Sequence, residues 1–127
     1  MKWYELNPER LAVEKRLLAK HHPGTQMRIE KAGIYIIKRI RGRYRTYKVK
    51  GMFANSHPYS PMRFYVVKPP LKQGTPHRFM DGQLCLHSSA DVGPETTAAV
   101  YVSWAEQWIK TYENWLDGKP WPDTNRV

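Results

Sequence analysis

Apolar positions first gather into a stripe at Leu11, Val13, Leu17 and Leu18, with charged residues between them. That is the repeat of one face of a helix. Asn7-Pro8-Glu9 stands in front of it. Asparagine caps a helix, proline loses nothing in the first turn, and an acid there complements the helix dipole. Pro23-Gly24 should stop the helix near His22. The pattern then changes to alternation, predicting strands over residues 27–31, 34–40, 44–53 and 62–67. In the third, Tyr47, Val49, Gly51 and Phe53 share one face and Lys48 and Lys50 the other. Gly42, between Arg41 and Arg43, marks a tight hairpin, and Pro58 and Pro61 fall between the last two strands. Short connections of this kind predict an antiparallel meander.

Pro69-Pro70 ends the sheet, and irregular chain runs for about twenty-five residues to Pro94. A loop of that length in a compact domain is usually functional or disordered. Helical spacing returns over residues 96–117 with Tyr101, Trp104, Ala105, Trp108, Tyr112, Trp115 and Leu116; Gly118 and Pro120 then end it. Tryptophans 104, 108, 115 and 121 read as packing against the sheet rather than as a ligand cage. The predicted fold is α+β: an N-terminal helix, a four-stranded antiparallel meander, a long loop and a long C-terminal helix, in a single domain over residues 1–127.

The loop carries the chemistry. It reads Thr75-Pro76-His77-Arg78-Phe79-Met80-Asp81-Gly82-Gln83-Leu84-Cys85-Leu86-His87 and holds the chain's only cysteine. Asp81-Gly82 is a turn signal, so the segment loops back and sets one thiol between two leucines. A lone cysteine excludes an internal disulfide and a cysteine-based zinc cage, and fits a reducing compartment. The histidines at 21, 22, 57, 77 and 87 are scattered without metal-ligand spacing, so neither a metal nor a cofactor is expected. There is no apolar signal core at the N-terminus and no run of about 20 apolar residues, which predicts a soluble cytoplasmic protein away from membranes.

The segment resembles the active-site run of ubiquitin-conjugating enzymes, in which His-Pro-Asn, a short loop and Asp-Gly precede Cys-Leu. Thr75-Pro76-His77 fills the His-Pro-Asn slot, and His57-Pro58-Tyr59-Ser60-Pro61 is similar to that family's Tyr-Pro-Phe-x-Pro signature. His77 stands where the family has an asparagine credited with steadying an oxyanion. With Leu84-Cys85-Leu86 and the tryptophan-rich end, this looks like the bacterial branch found in antiphage (CBASS) operons beside cyclic-nucleotide synthases. The resemblance implies that Cys85 carries a protein C-terminus as a thioester and passes it to an amine. The carried protein would be the cyclic-nucleotide synthase or a ubiquitin-like protein. His77 would be the oxyanion donor, and His87 and Asp91 would support the amine. It also implies docking of an activating enzyme on the first helix, through Arg10, Lys15, Arg16 and Lys20.

A free thiol is only a few per cent ionised at neutral pH. That suits a carrier receiving an already activated acyl group better than a protease, which needs a base held on its cysteine. Two other classes stay open: an interaction module of the same fold with an idle thiol, and a basic nucleic-acid-binding module. The latter arises because the chain has net charge +10, and residues 31–80 hold twelve Lys or Arg and no acid. Solvated strand charge is the plainest explanation of that block, and an acidic protein fits it better than nucleic acid does.

Overall fold

The computed structural model describes residues 1–122, so the end of the expected 1–127 domain lies outside the described residues. A short helix α1 (Trp3–Leu6) leads into α2 (Pro8–His21). The Asn7 side chain accepts the Arg10 amide at 3.1 Å, as the capping signal predicts. Four strands follow: β1 (Gln26–Glu30), β2 (Gly33–Arg41), β3 (Thr46–Met52) and β4 (Arg63–Lys68), paired antiparallel in the order β1-β2-β3-β4. After the long loop comes α3 (Ala98–Leu116). The architecture is α+β with the expected elements in the expected order, and α1 and a single helical turn at Ser89–Asp91 are additional.

Most boundaries shifted by one residue, and two moved by two, for physical reasons. The third strand starts at Thr46 rather than Tyr44, because residues 42–45 are the hairpin turn, closed by the Gly42 amide on the Arg45 carbonyl at 2.8 Å. The last helix starts at Ala98 rather than Thr96, because Thr96 belongs to a preceding turn with Gly93. Its end matches: Gly118 takes φ +93°, and the Gly118 and Lys119 amides close on the Trp115 and Asn114 carbonyls.

One face of the sheet meets α3. Ile36, Ile40, Tyr47, Val49 and Phe64 pack against Ala98, Tyr101, Val102, Ala105, Ile109 and Tyr112. Leu84 and Leu86 from the loop join the same cluster. Among the described residues no helix packs on the other face of the sheet.

Two buried carboxylates tie the layers together. Glu14 of α2 is 0% exposed and accepts the Ala98 amide at 3.0 Å, so a side chain from one helix caps the start of another. It also binds His57 Nε2 at 2.5 Å and Arg10 Nε at 3.4 Å. Glu113 of α3, 3% exposed, accepts the Arg43 amide at 2.9 Å and the Tyr47 hydroxyl at 3.2 Å, which docks the β2–β3 turn onto the helix. Burial and the Glu113 carboxylate raise the Tyr47 hydroxyl well above the usual phenol range.

Candidate active site

The loop is held from both ends. The Lys72 amide donates to the Tyr112 hydroxyl at 2.9 Å, and Thr75, buried, folds its hydroxyl back onto the Lys72 carbonyl. Further on, Arg78 and Leu84 form an isolated antiparallel bridge. Inside that bridge the Asp81-Gly82 turn forms as its sequence demands. The Gln83 amide donates to the Asp81 carboxylate at 3.0 Å, and Gly82 takes φ +92°. The Leu84 amide then donates to the Phe64 carbonyl at 2.9 Å, which pins the cysteine segment to β4.

Cys85 is 9% exposed and lines a cavity of about 490 Å³. His77, Leu86, Trp104, Trp108 and Trp121 form most of its remaining wall. Leu84 and Leu86 belong to the core cluster, and Cys85 between them borders the cavity with Leu86. Burial pushes the Cys85 thiol up from its ordinary value, so at neutral pH it is held as the thiol.

His77 and Cys85 are brought together by the backbone. The His77 carbonyl accepts the Cys85 amide at 2.9 Å and the Trp108 indole N–H at 3.1 Å. His77 itself takes φ +55°, a left-handed conformation uncommon outside glycine and enriched for Asn, Asp and His. Its ring stacks on Trp121, with centroids 5.2 Å apart and planes at 22°.

His87 and Asp91 do not border this cavity. His87 Nδ1 is 3.0 Å from the Ser88 carbonyl, and its ring packs on Tyr101 and on Trp104, so it reaches the cavity only through the back of its wall. The Asp91 carboxylate accepts the Ser88 amide and hydroxyl at 3.0 and 3.1 Å, closing the turn Ser89–Asp91.

On α2, Lys15, Arg16 and Lys20 are exposed. Arg10 is not a free surface cation: its guanidinium donates to the Pro94 and Thr96 carbonyls at 2.6 and 3.0 Å, bracing the loop before α3. Among the described residues no cluster of His, Cys, Asp or Glu could hold a metal, and no helix is long and apolar enough to cross a membrane.

The sequence reading missed the cavity wall. Trp104, Gln107, Trp108 and Thr111 recur at helical spacing and form one flank of α3 beside the core stripe. That spacing was visible; which flank faced the thiol was not.

Residues 14–126 match the family model described as Type II CBASS E2 protein. The chain belongs to the E2-CBASS family. No curated protein and no solved structure matches it. Membership makes it an E2-like protein of a CBASS antiphage system, with partners inside that system. In this E2-CBASS protein the wall around the lone thiol is aromatic, and the family's match begins within α2 at Glu14, the buried carboxylate that joins the helices.

Proposed function

We propose that this E2-CBASS protein is a cysteine acyltransferase built on a ubiquitin-conjugating-enzyme-like fold. The reading rests chiefly on one observation: its lone cysteine borders a cavity that His77 also lines.

The reaction has two steps. The Cys85 sulfur bonds to the carbonyl carbon of an already activated protein C-terminus, the activating group leaves, and the thiol proton is released. An amine then attacks the same carbon; the C–N bond forms, the C–S bond breaks, the amine loses a proton and the thiolate is restored. Negative charge gathers on the carbonyl oxygen in each step, and a donor aimed at it is worth a few kcal/mol. His77 supplies that donor. His87 stiffens the Trp104 wall, and Asp91 holds the turn behind it, so both act on the amine's approach through position. The synthase of cyclic nucleotides is the protein whose C-terminus is carried, and Lys15, Arg16 and Lys20 form the docking surface for an activating enzyme.

A buried thiol with a raised pKa is consistent with this role. The acyl group arrives activated, so the sulfur need not be strongly ionised beforehand, and a protonated resting thiol resists stray oxidation. The same property argues against a protease, whose cysteine needs an ionising base on it.

Co-expression with a CBASS cyclic-nucleotide synthase, with and without an activating enzyme, tests the reading. A covalent adduct that reducing agent removes, absent from Cys85→Ala, is expected. Conjugation that persists in Cys85→Ala would end it.

A further inference from the structure

The open face of the sheet carries a row of cations that the acyl-carrier reading does not use. Arg39 of β2 lies directly opposite Lys48 of β3, and Lys48 lies directly opposite Lys68 of β4. Adjacent strands are about 4.8 Å apart, so three positive charges stand in one line across the sheet. Like charges facing each other across strands are unfavourable.

Lys68 joins this row only because of a β-bulge. Val49 pairs with Val66 but Lys48 pairs with Lys68, so Val67 is the extra residue. Without it, the alternation would turn Lys68 toward the Tyr47 side, which is core. Bulges of this kind re-aim side chains.

Arg45 completes a shallow hollow of about 790 Å³ with Arg39, Lys48 and Lys68, and Tyr44 and Thr46 also line it. No acid lines the hollow. Among the described residues none of the four cations has an ion pair. Tyr44 is 70% exposed, with the Arg43 guanidinium 5.4 Å from its ring centroid.

We propose that this hollow binds single-stranded nucleic acid, with Arg39, Arg45, Lys48 and Lys68 facing phosphates and Tyr44 stacking on a base. The sequence alone favours an acidic protein for the basic block. Two structural features reverse that order. Protein interfaces centre on apolar and aromatic anchors and are depleted in lysine, whereas four of the seven residues lining this hollow are Lys or Arg. An exposed ring beside unpaired cations is the combination that tracks a strand of phosphates and bases. The proposal stands independently of the chemistry at Cys85.

The test is fluorescence anisotropy of a labelled oligothymidylate of about 20 nucleotides, titrated with the whole protein across salt. Four phosphate contacts predict a log–log salt slope of about −3. In the double variant Lys48→Gln/Lys68→Gln the slope should fall to about −1.5. Its thermal midpoint should be no lower than wild type, because the charge row has been relieved. If that variant does not fold, Arg45→Gln in the hairpin turn reads the same slope with a smaller decrease. Tyr44→Ala should lose about tenfold in affinity at an unchanged slope. No binding at low salt would overturn the proposal, as would wild-type slope and affinity in the charge variants. Displacement by polyglutamate as effective per charge as by the oligonucleotide would show an acidic-polypeptide site instead. Equal affinity for duplex, insensitive to Tyr44→Ala, would refute single-strand recognition.

Discussion

Glu14→Ala is the perturbation whose size follows most directly from the structure. The carboxylate is 0% exposed and holds the Ala98 amide, His57 Nε2 and Arg10 Nε. Truncation leaves the first amide of α3 without its cap and a buried imidazole without its partner. Breaking a buried charged pair costs about 3–5 kcal/mol, and a lost helix cap alone about 1 kcal/mol. These overlap, so the expected loss is about 4 kcal/mol, or roughly 10–20 °C in melting temperature for a chain of this size. Glu14→Gln keeps the shape and an oxygen for the Ala98 amide, and should cost about 1–2 kcal/mol. Glu9→Gln, exposed in the first turn of the same helix, should cost less than about 1 kcal/mol. Urea unfolding followed by circular dichroism measures all three, and an unchanged slope with denaturant shows that stability alone has shifted. A Glu14→Ala protein within about 1 kcal/mol of wild type would refute the bridging role.

Four further outcomes are expected. In Gly42→Ala a methyl group would sit 2.2 Å from a Glu113 carboxylate oxygen, so the Arg43 and Tyr47 bonds to that group should be lost; a thermal melt should show about 2–3 kcal/mol of destabilisation. Gly24→Ala, with φ +88° but nothing within 4 Å, should show only about 1 kcal/mol. His77→Asn should fold normally, since asparagine tolerates positive φ, and should retain loading and discharge to an amine, while His77→Ala should slow loading and should discharge about 100-fold more slowly. Discharge at the wild-type rate in His77→Ala would remove His77 from the chemistry. Because burial raises the Cys85 pKa, the folded protein keeps the thiol proton above the pH at which a free cysteine loses it. Iodoacetamide alkylation at neutral pH should therefore be slower than for free cysteine and should still be rising where free cysteine has levelled off. The stability this group contributes is present below the ordinary thiol pKa and declines as pH rises beyond it. A rate that levels off at or below the free-cysteine midpoint would contradict the burial argument.

Local signals were legible in the chain. Asn7-Pro8 and Gly118 mark helix ends through capping and backbone freedom, and Asp81-Gly82 marks the turn that returns the loop to Cys85; each depends on neighbours within a few residues. What the chain hid was long-range. Glu14 looks like an ordinary helix-surface acid, yet it caps α3 from 84 positions away. Arg10 looks like a free docking cation, yet it braces the carbonyls before that helix. At the site, the pairing of His77 with Cys85 followed from the loop motif, whereas the Trp108 bond to the His77 carbonyl required knowing which flank of α3 faced inward. The bulge that turns Lys68 outward changes register by one residue, which no period-two pattern reveals.

The acyl-carrier role can be met head-on by trapping. An oxygen ester at Cys85→Ser survives reducing agent where a thioester does not. Intact-mass spectrometry of that variant, purified from cells that also contain a CBASS cyclic-nucleotide synthase and an activating enzyme, should show a covalent adduct whose peptide map joins Ser at position 85 to that synthase's C-terminal residue, and which mild alkali releases. An unmodified mass, from cells in which the wild-type protein still drives conjugation, would contradict the account.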